Sequence, residues 1–489
     1  VNIRWKHQED EFTDFNTEYL IPHLESTRGP KLAVADVNKD GLDDFFVCGA
    51  KGQPGCLMIQ TKDGKFINSD TAVFSKNKSG EGVDAVFFDA NNDGNPDLYV
   101  VSGGNEYEDG NPGLADHLYL NDGKGNLSAE KVGFNEPVNA LPSILTNKSC
   151  VAVADINKDG YQDIFVGGLA DAKNYGYPQS SYLLLNDGEA GFKVADESVI
   201  SLKETGMVTS SSFADINNDG WMDLIVTGEW MPVKIFINNK GFFKASEIPQ
   251  STGLWQAIYI TDVNGDGYKD ILAGNWGHNS KLYAGKNGPL KLYINDFDHN
   301  GSVDQIMTYN IHGEEYPFLA KDQLEPDLPV LKKAHLTYGE VAGKTAQFML
   351  GDLFKDYKEL KAETLSSSCF LNDGKGSLSA DKAGFKRTEL PDELQLAPLF
   401  AFTSFPYDSS NTYFSAGNFY GVLPYEGRYD AMIPTFFSYH NAQFNVQSNL
   451  PFIDGEVRDA KWINYSGGKK VLVIARNNDQ LIFLKPIKG

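Results

Sequence analysis

The sequence predicts an all-β chain, a β-propeller of eight, alternatively seven, four-stranded blades. Three observations predict it: an acidic nine-residue turn recurs between short apolar runs, a second tight-turn signal follows downstream of most copies, and the copies stand about one blade apart. Small antiparallel sheets repeated in this way bury their faces by packing against one another around a ring.

The acidic turn reads DVNKDGLDD from Asp36, DANNDGNPD from Asp89, DINKDGYQD from Asp155, DINNDGWMD from Asp215, DVNGDGYKD from Asp262 and DFDHNGSVD from Asp296. Hard cations such as calcium take about six to eight oxygen ligands, mixing carboxylates, amides and backbone carbonyls. Positions 1, 3 and 5 direct alternate side-chain oxygens toward one centre, and the glycine at position 6 permits the sharp bend. The carbonyl of position 7 and the carboxylate of position 9 complete the sphere. The expected ligands are Asp36, Asn38, Asp40, Leu42 and Asp44, then Asp89, Asn91, Asp93, Asn95 and Asp97. The third and fourth sets are Asp155, Asn157, Asp159, Tyr161 and Asp163, then Asp215, Asn217, Asp219, Trp221 and Asp223. The last two are Asp262, Asn264, Asp266, Tyr268 and Asp270, then Asp296, Asp298, Asn300, Ser302 and Asp304. The pattern resembles the first part of an EF-hand loop, but no Glu stands at position 12 and the flanks are strand-like. Asp, Asn and Gly favour plain solvated turns as well; six copies in one phase ask for more. About six structural calcium ions are therefore expected, one per turn, serving no common reaction centre.

The flanks of each turn, such as LAVAD before and DFFVCG after, are strands of about five residues. Downstream, LYLNDGKGNLS, LLLNDGEAGFK, FINNKGFFK and CFLNDGKGSLS (from Leu118, Leu183, Phe236 and Cys369) are hairpin turns without ligand spacing. One unit is thus four strands. First aspartates are separated by 53, 66, 60, 47 and 34 residues. The last spacing holds only about three strands, which keeps seven blades open beside eight. Two degenerate units follow, APLFAFTSFPYDSSNTYFSAGNF and VRDAKWINYSGGKKVLVIARNNDQLIFLK. The final unit lacks a clear fourth strand, and residues 1–27 are expected to supply it and close the ring. Residues 28–489 then form a single propeller. Within it, residues 314–366 lose strand alternation and are rich in helix formers, so a helical insertion in the sixth unit is expected.

Composition narrows the function classes. The chain has 489 residues, with 43 Lys and Arg against 66 Asp and Glu, a net charge of −23. That balance speaks against a nucleic-acid binder, which needs clustered positive charge. The ligand positions of the six turns hold 18 aspartates, most of the excess. No apolar run of about 18 residues exists, so no spanning helix is expected. The chain begins at Val1 rather than Met, which reads as a processed or excised piece of a longer precursor. Cys48 and Cys56 flank a glycine-rich turn and are compatible with a cross-strand disulfide or with buried thiols; Cys150 and Cys369 read as buried thiols.

The turns and their strands resemble FG-GAP, or VCBS-type, repeats of integrin-like propellers. The segments TGEWMPVKIF, GNWGHNSKLY, YINDFDHNGSVD, LQLAP and GNFYGVLPYEGRYDA narrow the resemblance to the C-terminal propeller of Bacteroidota VCBS-repeat proteins with an ASPIC/UnbV domain. That resemblance implies a secreted, outer-membrane-attached lipoprotein at the cell surface, where millimolar calcium fills even weak sites. It further implies SusC/SusD-type transporter components as neighbours. It implies no reaction. Relatives often keep another acidic turn where Thr403 to Tyr413 has lost it.

In a propeller the loops between second and third strands lie on the face opposite the acidic turns. Here they are long and aromatic, and Tyr107, Tyr175, Tyr177, Trp230, Trp276, His278, Asn279, Tyr420, Arg428 and Tyr429 are expected to converge on one rim. Rings with polar neighbours suit a sugar or a protein side chain. The eight histidines form no HExxH pair, and no GxSxG elbow, phosphate-binding loop or GxGxxG follows a strand. The expectation is a calcium-stabilised, non-enzymatic recognition module for a glycan or partner protein, in a nutrient-uptake assembly. The alternatives are a polysaccharide lyase on the same scaffold and a structural spacer.

Overall fold

Each acidic turn of the ring leads into a second strand that is buried along its whole length, and such a strand is stable only when sheets cover it from both sides. The computed structural model describes residues 3–69, 71–129, 141–285, 288–374, 384–407, 411–423, 426–447, 450 and 452–486. It is built of antiparallel sheets. Blade 1 is Leu32–Ala35, Asp44–Val47, Cys56–Gln60 and Phe66–Ser69; blade 2 is Glu81–Phe88, Asp97–Gly103, His117–Asn121 and Leu127–Ala129. Blade 3 is Lys148–Ala154, Asp163–Gly168, Tyr182–Asn186 and Phe192–Val194; blade 4 is Met207–Ala214, Asp223–Met231, Lys234–Asn239 and Phe242–Glu247. Blade 5 is Ala257–Thr261, Asp270–Gly274, Ser368–Asn372 and Phe385–Glu389; blade 6 is Leu399–Ser404, Thr412–Gly417, Thr435–His440 and Gln443–Gln447. Blade 7 has three strands, Glu456–Tyr465, Lys469–Asn477 and Ile482–Leu484.

The first strands of these seven sheets neighbour one another in chain order, and that of blade 7 returns to that of blade 1. An apolar cluster fills each seam. Phe46 and Val100 meet between blades 1 and 2, Tyr99 and Val166 between 2 and 3, and Phe165 and Val226 between 3 and 4. Ile225 and Phe370 meet between blades 4 and 5, and Phe414 and Leu472 between 6 and 7; Phe45 and Val473 close the last seam. Leu272, Leu399 and Phe437 join blades 5 and 6 in the largest cluster. Burying these faces is the main stabilising term, at about 25 cal/mol per Å² of apolar surface.

Among the described residues the ring therefore has seven blades, the alternative to the eight-unit reading. The unit at Asp296 belongs to an extra sheet, ordered Glu314–Pro317, Asp304–Ile311, Leu290–Asn295, Lys358–Ala362, between the second and third strands of blade 5. The 34-residue spacing was short because blade 5 is interrupted there; the CFLNDG hairpin at Cys369 completes it, with Leu272 opposite Cys369. Within residues 314–366 the two ends are strands, while short helices occupy Lys321–Leu324, Val330–Ala334, Tyr338–Val341 and Ala346–Leu350. Leu324, Leu331 and Met349 of those helices pack on Tyr293, Phe297 and Ile306 of the extra sheet.

Beside blade 7, Lys6 bridges Gln480 and the His7 amide donates to the Asp479 carbonyl, while Ile3 and Trp5 pack near Phe483. All four cysteines are free and buried, and burial pushes the Cys56 and Cys150 thiols up to about 12.

Candidate functional site

The six acidic turns share one local geometry. Position 4 is left-handed in each, with φ 59° at Lys39, 61° at Lys158 and 60° at His299, and the glycine two residues later is left-handed as well. The backbone thereby folds around the side chain of position 1. Asp36 Oδ2 accepts from the Gly41 amide at 2.8 Å, and Asp89, Asp155, Asp215, Asp262 and Asp296 repeat this at 2.8–3.0 Å. Position 3 caps the position 5 amide, as Asn38 Oδ1 does for Asp40 at 3.1 Å.

Position 9 is fully buried. Asp44 Oδ2 accepts from the Val37 amide at 3.1 Å and its Oδ1 from the Gln60 amide at 2.7 Å, so this carboxylate also ties the turn to the third strand. Burial first, then the aspartates of positions 5 and 1, push the position 9 carboxyls up, to about 7 at Asp44 and Asp223 and about 6 at Asp97, Asp163 and Asp270.

The donor set fits calcium. It is all oxygen, and Asp155 Oδ1 and Asp304 Oδ1 are buried without a hydrogen-bond partner among the described residues. Asp296, Asp298 and Asp304 each offer an oxygen within 4.8 Å of the others. Asp327, from the helical segment, faces Asp298 and Asp304.

A residue role that the sequence reading missed lies beside four of the six turns. The asparagine ending the third strand, read above only as a hairpin former, joins neighbouring blades. Asn186 donates its amide NH2 to the Ala90 carbonyl of blade 2 and the Gln162 carbonyl of its own turn, each at 3.1 Å, while its backbone N–H reaches Asp163 at 2.9 Å. Asn121, Asn238 and Asn372 make the same bonds to Val37, Ile156 and Ile216. Between blades 7 and 1, Gln60 Nε2 reaches the Asn464 carbonyl at 3.0 Å. The signal for these positions was the shared N of LND, LND, INN and LND.

On the opposite face the N-terminal segment enters the centre of the ring. His23 stands between Glu25 and Glu229, 3.1 Å from each, and Arg28 bonds both carboxylates at 2.8 Å. Tyr175 Oη donates to Glu229 at 2.6 Å and receives the Trp230 indole N–H at 2.8 Å; Gln256 donates to Glu229 at 2.8 Å. Burial alone would lower His23, but Glu229 and Glu25 overcome it and raise the imidazole to about 10. Glu229 is held below the usual carboxylate range because His23 and Arg28 outweigh its burial, whereas burial outweighs them at Glu25 and raises it. His23, Glu25 and Glu229 also have metal-like spacing, within 4.8 Å. Arg28, Tyr175 and Gln256 already use those carboxylates, so the group is a closed ion-pair network.

This network corrects the aromatic rim. Tyr175, Trp230, Trp276 and Tyr429 do come together, but they are buried. Trp276 stacks on His23 with centroids 4.7 Å apart and meets Tyr429 edge-on at 5.8 Å. They hold the N-terminal segment and are closed to a ligand. Tyr107 is half-buried, donates to the Ser79 carbonyl and carries Lys51 over its ring at 4.9 Å. Tyr177, 38% exposed, lies under Lys358 at 4.7 Å, and half-buried Tyr420 lies under exposed Arg428 at 4.7 Å. His278 and Asn279 are exposed, their amides bonded to the Gln395 carbonyl.

A family model described as FG-GAP-like repeat matches residues 36–100, 89–166 and 215–273. Among curated proteins, cartilage acidic protein 1 of Xenopus tropicalis is 23% identical over 300 residues, 56% of this chain and 42% of that protein. The chain thus spans less than half of that relative's length. The solved Dos1 propeller aligns over 97% of this chain and 98% of its own at 10% identity, with a TM-score of 0.39. A lectin from Agrocybe aegerita, whose structure concerns recognition of non-reducing terminal N-acetylglucosamine, aligns over 60% of this chain and 80% of its own at 16% identity, with a TM-score of 0.26. No helix among the described residues is long and apolar enough to cross a membrane. With its acidic turns, its seven-sheet ring and repeats matched over residues 36–166 and 215–273, the chain is a β-propeller that carries FG-GAP-like repeats.

Proposed function

We propose that this protein is a calcium-stiffened recognition module of the extracellular cell surface. It binds a glycan or a partner protein on the rim opposite its acidic turns, within an outer-membrane nutrient-uptake assembly that includes SusC/SusD-type components. The observation that carries this reading is the division of labour between the faces. One face is committed to the five acidic turns of the ring, while the sixth, at Asp296–Asp304, lies in the extra sheet, whose Lys358 reaches Tyr177. The other displays aromatic rings paired with cations: Tyr177 with Lys358 of the extra sheet, and Tyr420 with Arg428. Because His23, Trp276 and Tyr175 close the centre, the ligand lies across the rim rather than entering a channel. Calcium held by positions 1, 3, 5, 7 and 9 supplies the positive charge that lets the aspartates of one turn lie close together.

The test compares wild type with a Tyr177→Ala/Arg428→Ala variant on a glycan array and in pull-downs from outer-membrane extract, in millimolar calcium. Retention of one glycan class or one membrane protein by wild type, reduced about tenfold in the variant, is the expected result; rim anchors contribute on this scale. Absence of any retained ligand, or equal retention by the variant, refutes the rim.

A further inference from the structure

The extra sheet repeats the acidic turn with one bond missing. In the five ring turns the position 9 carboxylate is used twice. Its Oδ2 accepts from the turn, and its Oδ1 accepts from a backbone N–H of the third strand, as Asp163 does from Asn186 at 2.9 Å and Asp223 from Asn238 at 2.7 Å. The same third-strand bond reaches Asp44, Asp97 and Asp270. Asp304 keeps only the first, accepting from the Phe297 amide at 2.8 Å; its Oδ1 is buried without a hydrogen-bond partner among the described residues. The cause is topological. The neighbouring strand Glu314–Pro317 pairs with Asp304–Ile311 from Ile311 only as far as Thr308, and the chain then leaves into the helical segment.

That segment depends on the turn for its packing. Its four helices have four or five residues each, far below the about 12–15 at which an isolated helix becomes even marginally stable. One apolar cluster holds them, in which Leu324, Leu328, Leu331 and Met349 gather with Phe297 and Ile306. Phe297 is position 2 of the turn, between Asp296 and Asp298. Asn295, one residue before the first ligand, donates to the Lys355 carbonyl at 3.0 Å, just beyond the last helix. Charge opposes the same contact. Half-buried Asp327, next to Leu328, acts on Asp304 and Asp298 as a like charge, and no basic side chain offsets it among the described residues. A divalent cation among Asp296, Asp298 and Asp304 would leave one net negative charge where there are three, and would take up the free Oδ1 of Asp304.

We propose that this ion is the clasp of the helical segment: calcium at Asp296, Asp298 and Asp304 holds residues 319–354 against the extra sheet, and its loss releases them while the seven-bladed ring stays closed. The proposal rests on the reading that the acidic turns hold calcium, and it gives this turn a task that the five ring turns do not share. The segment leads directly into the strand that carries Lys358 to Tyr177, so the ion also governs one cation of the rim.

The test follows hydrogen–deuterium exchange of residues 319–354 in the folded full chain, with bound ions counted by native mass spectrometry, in calcium and in chelator. Asp296→Asn is compared with wild type and with Asp215→Asn, the same position in the blade 4 turn; Asp304→Asn serves if Asp296→Asn does not fold. In calcium each turn variant should hold one ion fewer, but only Asp296→Asn should exchange faster in residues 319–354, by about tenfold when free calcium stands at about ten times the dissociation constant. Asp327→Asn should keep the wild-type ion count and, in chelator, exchange more slowly there than wild type, because its repulsion is gone. Loss of an ion from Asp296→Asn with unchanged exchange in the segment overturns the clasp and leaves calcium in the turns standing. Equal acceleration in Asp215→Asn overturns the clasp as well, since the effect would then belong to the whole ring. Wild type that binds no ion in calcium overturns both readings.

Discussion

Asn186 illustrates how one side chain can serve two blades. Its amide N–H groups satisfy the Ala90 and Gln162 carbonyls, and its Oδ1 receives the Gly188 amide at 2.9 Å. Removing a buried donor leaves those carbonyls unpaired, at about 1–3 kcal/mol. Asn186→Ala is therefore expected to lower unfolding stability by about 2 kcal/mol in urea, whereas Lys193→Ala, on an exposed strand position, stays within about 0.5 kcal/mol. Equal effects would remove the seam role. Trp230 shows the opposite economy. It holds φ 56°, a conformation costing a bulky residue about 1–3 kcal/mol, while its indole N–H bonds Tyr175 next to Glu229. Strain is tolerated there because the ion-pair network fixes both neighbours.

The N-terminal segment is an element without regular structure that is nevertheless pinned at the ring's centre. Its latch is His23, facing Glu229, Glu25, Arg28 and Tyr175, with Glu426 nearby. The folded state raises His23 from 6.5 to about 10, so it binds the proton more tightly than the unfolded chain does. The stabilisation is complete below the unfolded value of 6.5 and is lost as pH rises toward 10. Melting temperature should thus fall between about pH 7 and 9.5, and His23→Asn should lack that slope. Identical slopes in both proteins would show that the latch does not depend on imidazolium. Little of this element was legible in the sequence, because His23 and Glu229 stand 206 positions apart and no local pattern links them. The turn positions were legible because their geometry is complete within nine residues. The extra sheet misled for the same reason: Asp296 to Asp304 repeats the local turn faithfully, while the interruption of blade 5 shows only when Leu272 meets Cys369. Of the ten residues expected on one rim, Tyr175, Trp230, Trp276 and Tyr429 gather instead against the N-terminal segment, since aromatic loops bind a chain's own segment by the same chemistry as a ligand.

For the whole molecule, the balance is between seven apolar seams and a net charge of −23, with 18 aspartates crowded at the ligand positions of the turns. The turns in the ring share one face, so their repulsion acts across the disc as well as within each loop. Six bound calcium ions would cancel about half of the net charge at the points where it is densest. Two consequences separate this account from one in which the turns are merely solvated. In chelator the melting temperature should fall by many degrees, because ligands that bind only the folded state stabilise it by mass action. Sodium chloride added to the chelated protein should then recover part of the loss, since screening shortens the reach of repulsion from about 30 Å at 0.01 M to about 8 Å at 0.15 M salt. The calcium-loaded protein should respond far less to the same salt, its turn charges being already neutralised. Scanning calorimetry over a salt series, with and without calcium, measures both effects. A melting curve that ignores the chelator, or equal salt slopes in both states, would mean that the apolar seams alone hold the ring.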